Sequence, residues 1–108
     1  MITETTQALD DLTLFEVHFI WDYEQQQSAY LKHSAAVLNQ ILKVNVLIAT
    51  RLVMNACANG KTLIFSSFNK EEAIECRDKI SAFGLYCNIV PTETEYNKNG
   101  NIKPDPNG

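Results

Sequence analysis

NVLIATRLVMNACANGKTLIFSSFNKEEAIECRDKISAFGLYCNIV, residues 45–90, decides the fold. Asn45 is a residue type that caps helix starts, because its side chain can accept a backbone N–H left free there. An apolar run follows from Val46 to Ala56, with Arg51 as its one charge. Asn59-Gly60 supplies the stop, since glycine tolerates the left-handed backbone that closes a helix. Lys61–Ser66 is short, β-branched and aromatic, which predicts a strand. Asn69 opens another helix, with Glu72 three residues on as a capping-box partner. Ala73, Cys76, Ile80 and Phe83 recur at helical spacing and predict the buried stripe. Gly84 is the next stop. Leu85–Val90 is the last strand, with Pro91 expected to end it.

Upstream, Thr13–Asp22 alternates. Phe15, Val17, Phe19 and Trp21 share one side; Glu16, His18 and Ile20 share the other. Period two with aromatic and β-branched residues predicts a strand. From about Gln26 to Lys43, Leu31, Ala35, Leu38 and Leu42 recur at helical spacing beside Ile41. The order is β-α-α-β-α-β. The expected architecture is an α+β domain with a three-stranded antiparallel sheet, the first strand central, and three helices on one face.

The chain of 108 residues is one domain at most. Hydrophobic residues make up 45% and charged residues 20%, the balance of an ordinary globular protein. The formal charge of −4 argues against binding to nucleic acid, which needs a basic footprint. No apolar run is long enough to span a membrane. The start Met1-Ile2-Thr3-Glu4 lacks a basic region and an apolar core, so no secretion signal is expected and the expected location is cytoplasmic. Residues 1–12 carry Glu4, Asp10 and Asp11 without a base and read as an acidic N-terminal tail. Residues 13–90 balance acids against bases and form the domain. Residues 91–108 are rich in Asn, Pro and Gly, with Tyr96 and Ile102 as their large apolar residues, and read as a flexible C-terminal tail.

Chemistry-bearing patterns are few. Cys57, Cys76 and Cys87 are odd in number and lie within apolar patterns, so each is expected to pack as a small hydrophobe. His18 and His33 lie far from them, and no metal or other cofactor is expected. Asn59-Gly60-Lys61-Thr62 ends like a phosphate-binding loop, but Asn55 stands where that pattern needs glycine, and the helix and strand come in reverse order. Glu71, Glu72, Glu75 and Asp78 interleave with Lys70, Arg77 and Lys79, as on a solvated helix face. His33 and Ser34 are adjacent on a helix and cannot face each other. No acid, base and nucleophile sit at a meaningful spacing, so no enzyme is expected. Two features stand out. Trp21-Asp22-Tyr23 brackets an acid with aromatics at a strand end. The second helix carries Leu47, Val53, Met54 and Cys57 in excess of one core stripe, which calls for cover by the other helices or for a partner.

This order, with these residues, resembles the superfamily of the Clp-protease adaptor ClpS and the C-terminal domain of the bacterial ribosomal stalk protein. The stretch Val37-Leu38 through Ala49-Thr50 to Gly60-Lys61 has the spacing of the two ClpS helices and the turn after them. Phe68-Asn69-Lys70-Glu71-Glu72-Ala73 to Phe83-Gly84-Leu85 is similar to the last helix of either family, and Lys70-Glu71-Glu72-Ala73 to the stalk domain's acidic helix start. The resemblance implies a non-enzymatic module that binds a protein partner: a Clp chaperone, or a larger complex in which the chain is an accessory subunit or a phage-type inhibitor. In ClpS an Asn-Asp-Asp run after the first strand and a His on the second helix read a free N-terminal amine. Here Trp21, Asp22 and Tyr23 occupy that run and Cys57 the position of the His. A thiol does not replace an imidazole as a hydrogen-bonding partner. The expected site is therefore an apolar groove between the first strand's end and the second helix, lined by Trp21, Asp22, Tyr23, Met54 and Cys57.

Overall fold

The computed structural model of the chain describes residues 13–25 and 27–93. The expected N-terminal tail and the part of the expected C-terminal tail after Glu93 lie outside the described residues. The elements are β1 (Thr13–Ile20), α1 (Gln27–Leu42), α2 (Val46–Asn59), β2 (Lys61–Ser67), α3 (Lys70–Ser81) and β3 (Tyr86–Glu93). The strand order is β2-β1-β3, and β1 runs antiparallel to both neighbours. This is the α+β architecture expected from the sequence.

The alternation of β1 sorts the two sheet faces. Val17 and Phe19 are fully buried against the helices, with Phe15 packed beside them. Their partners Phe65, Cys87 and Ile89 share that inner face. Leu14, Glu16, His18 and Ile20 point the other way, toward Leu63, Tyr86, Asn88 and Val90. The register shifts between Val17 and His18, where Ile64 is the extra residue of a bulge in β2. On the outer face His18 Nε2 lies 3.0 Å from Glu16 Oε1, on the central strand and mostly buried.

The helix boundaries follow from caps. Asn45 Oδ1 accepts the Ile48 N–H at 2.9 Å and opens α2. Gly60 closes it with φ 90°, its N–H bonded to the Ala56 carbonyl at 2.7 Å. Asn69 Oδ1 accepts the Glu71 N–H at 2.9 Å and opens α3. The capping box expected with Glu72 takes another form. Asn69 N–H donates to Ser67 Oγ, and that hydroxyl donates to Glu72 Oε1. Ser67 thus stands between the two groups that would have bonded directly.

Four further expectations change. β1 ends at Ile20 and not at Asp22: the Trp21 N–H still bonds the Gly60 carbonyl, but the Gly60 N–H is spent on the Ala56 carbonyl, so the ladder stops there. Pro91 does not end β3: it pairs with Phe15 and the strand runs on to Glu93. β3 is an edge strand, where proline's missing N–H is tolerated. Phe83 is 45% exposed, because α3 ends at Ser81 before its stripe would bring Phe83 inward. The buried positions of α1 are Tyr30, Ser34, Ala35, Val37 and Leu38, so the stripe is centred one position off the expected one. Among the described residues no helix is long and apolar enough to cross a membrane.

Candidate functional site

Trp21 and Tyr23 leave β1 together and part at once. Trp21 is 6% exposed, its ring centroid 4.6 Å from that of Tyr30 and 6.3 Å from that of Phe19. Expected as a lining residue, it lies instead in the core beneath the site, because an indole that can pack on two aromatic rings loses more by facing water. Tyr30 closes the cluster, and burial pushes its hydroxyl above the ordinary phenol value.

Tyr23 is 67% exposed. Its hydroxyl donates to the Cys57 carbonyl at 3.2 Å, bridging residues far apart in sequence. The bond satisfies one of the carbonyls that a helix end leaves free. Cys57 is half-buried, and its Sγ accepts the Gln27 amide at 3.3 Å. Met54 lies one turn earlier on the same side of α2 and is 56% exposed. Asp22 holds the turn between β1 and α1. Its Oδ1 accepts the Glu24 N–H at 3.0 Å and its Oδ2 the Gln25 amide at 3.1 Å.

The structure therefore brings Tyr23 and Cys57 into direct contact, leaves Met54 exposed one turn earlier on α2, ties Asp22 into its own turn and puts Trp21 in the core. Gln27 belongs with them. Nothing in the sequence marks it, since its contact is with a residue 30 positions on. Of the residues in excess on the second helix, Val53 is fully buried, while Leu47 and Met54 stay uncovered, with Val46 and Ile48 exposed near the helix start.

The other cysteines are in the core. Burial pushes the Cys87 thiol up to about 12 and raises Cys76 in the same direction. Burial thus disfavours the thiolate, the reactive form, at both positions. Among the described residues no group of three or more His, Cys, Asp or Glu comes together as metal ligands would. His33 Nε2 lies 2.9 Å from the Phe83 carbonyl, while the neighbouring Ser34 is fully buried, so the two do not act together.

Concavities lie at other places in the fold. One, of about 360 Å³, sits between α1, β2 and α3, with Ile41, Leu42, Phe65 and Cys76 as its apolar wall. Its acids are engaged: Glu72 accepts from Ser67, and Glu75 pairs with Lys79 at 3.1 Å. A second, of about 550 Å³, lies between the start of β1 and the approach to α3, and a third, of about 600 Å³, lies against α3 at Ile74, Asp78 and Ala82.

No family model matches the chain, and no curated protein does. A solved structure does: Agrobacterium tumefaciens ClpS2 bound to L-phenylalaninamide. The TM-score is 0.66 at 15% identity, over 74% of this chain and 98% of that one. The chain has the fold of a ClpS adaptor. At this identity the likeness establishes the fold alone.

Proposed function

We propose that the chain is a non-enzymatic, adaptor-like module that binds a protein partner in the groove between the end of β1 and α2. Tyr23 and Met54 supply apolar contact area. Cys57 and Asp22 fix the groove's shape, and Trp21 supports it from the core. One observation supports this reading: Tyr23, 67% exposed, is anchored by its hydroxyl on the Cys57 carbonyl, one turn along α2 from Met54, which is 56% exposed. An aromatic with a polar tip held in place loses little freedom on binding, which favours it at interfaces. The ClpS fold supports an adaptor role, with a Clp chaperone as one partner class.

A second reading is that the chain is an accessory subunit or an inhibitor of a larger complex that reuses the fold. Trp21 in the core and Cys57 at the helix end favour it, because neither offers the chemistry that reads a free amine in ClpS.

Tagged wild-type chain and its Met54→Asp variant, used to capture proteins from the source organism, separate the readings. A Clp chaperone retained together with cargo, the cargo alone lost in Met54→Asp, is the adaptor outcome. A different complex, lost in Met54→Asp, is the accessory outcome. Binding that survives both Met54→Asp and Tyr23→Ala would rule out the groove.

A further inference from the structure

We propose that the acidic segment before β1, within residues 1–12, docks on its own domain in the cleft between the start of β1 and the approach to α3. This cleft of about 550 Å³ is lined by Thr13, Phe15, Phe68, Asn69 and Lys70. Its volume lies in the range that takes a ligand or a peptide segment. Its two aromatic rings lack cover: Phe68 is exposed, and Phe15 is half-buried at the end of the inner sheet face. Asn69 is spent on caps, giving its N–H to Ser67 Oγ and taking the Glu71 N–H on its side chain. Lys70 is exposed and makes no ion pair among the described residues. A fitting occupant therefore brings apolar side chains beside a carboxylate.

The chain carries such a segment at the mouth of the cleft. Leu9-Asp10-Asp11-Leu12 directly precedes Thr13, itself a lining residue. Residues 1–12 hold Glu4, Asp10 and Asp11 and no base, opposite in sign to Lys70. Four residues extend to at most about 14 Å, so Leu9 cannot leave the neighbourhood of Thr13. Such a short tether keeps the segment at an effective concentration on the order of millimolar, so contacts too weak to hold a free partner suffice. An exposed ion pair to Lys70 contributes little by itself. Contact of Leu9 and Leu12 with Phe15 and Phe68 carries the docking, and Lys70 selects the acidic segment. The residues after Glu93 leave from the same end, because Glu93 pairs with Thr13. They leave from β3, on the far side of β1 from β2 and Phe68, and they include Lys98 and Lys103. Placement and charge both favour the segment before Thr13. The inference does not depend on where a partner binds.

Backbone amide shifts of the isotopically labelled full chain test it, with Leu9→Asp and Phe68→Ala compared with wild type. Leu9→Asp is expected to move the amides of Phe68 and Lys70, which are distant in sequence. Phe68→Ala is expected to move those of Leu9 and Leu12. In wild type, nuclear Overhauser contacts are expected between the methyls of Leu9 or Leu12 and the Phe68 ring. Shifts confined to the sequence neighbours of each substitution, without those contacts, would overturn the proposal. Contacts from Tyr96 or Ile102 to the Phe68 ring, in place of the leucines, would overturn the choice of segment. Contacts that cross between labelled and unlabelled chains in a mixed sample would overturn docking within one chain.

Discussion

Two aromatics at the end of β1 show how differently neighbouring residues can be used. Trp21 turns inward, packs edge-on against Phe19 and tilted against Tyr30, and is 6% exposed. Tyr23, two residues on, reaches outward across the turn and holds the end of α2 by one hydrogen bond. The first contributes to stability through contact area and packing. The second contributes little to stability and presents surface. What separates them is the turn at Asp22, whose carboxylate fixes the backbone between them.

The comparison breaks first at Trp21. Trp21→Ala removes a buried indole from a packed cluster and is expected to cost about 3–5 kcal/mol. Denaturant unfolding checks it, with Tyr23→Ala as the contrast, expected within about 0.5 kcal/mol of wild type. Equal losses for the two would erase the distinction. Next comes Gly60, beneath the Tyr23 hydroxyl. At φ 90° an alanine is strained, although its Cβ would stand an ordinary 3.8 Å from that hydroxyl. Gly60→Ala is expected to cost about 1–2 kcal/mol by thermal unfolding, with the cost arising from backbone strain.

A smaller effect of opposite sign is expected at Ser34. Its hydroxyl is fully buried and has no hydrogen-bond partner among the described residues. Ser34→Ala removes that unpaired group from a helix interior and is expected to stabilise by about 0.5–1 kcal/mol. The cysteines sharpen the contrast between core and rim. In the native chain Cys87 holds its proton up to about pH 12, whereas an ordinary thiol loses it near 9.0. The folded state thus binds a proton that the unfolded chain has released. Stability is expected to fall as pH rises from about 9 toward 12. Replacing Cys87 by Ser is expected to flatten that fall in a pH series of unfolding curves.

Much of the fold is legible locally. The alternation of Phe15, Val17 and Phe19 assigns the inner face of β1, and Asn45, Gly60, Asn69 and Gly84 bracket the helices, because caps and alternation act over a few residues. What the sequence conceals depends on neighbours distant in the chain. Phe83 fits a helical stripe, but the helix stops too soon to bury it. Pro91 looks like a terminator until β3 is known to lie at an edge. Tyr30 and Ser34 are polar residues that only tertiary packing places inside. At the site, Trp21, Asp22, Tyr23, Met54 and Cys57 could be singled out from the sequence, yet the direction in which Trp21 turns and the bonds from Tyr23 and Gln27 to Cys57 exist only in the folded chain.

The central claim is that the rim at Tyr23 binds and the core at Trp21 supports it. It is tested most directly by titrating isotopically labelled chain with a short phenylalanine-led peptide while following backbone amide shifts. The account predicts that the shifts concentrate at Tyr23, Gln27, Met54 and Cys57, and that Ile41, Leu42 and Cys76 stay unmoved. Shifts concentrated at Ile41, Leu42 and Cys76, or none anywhere, would contradict it.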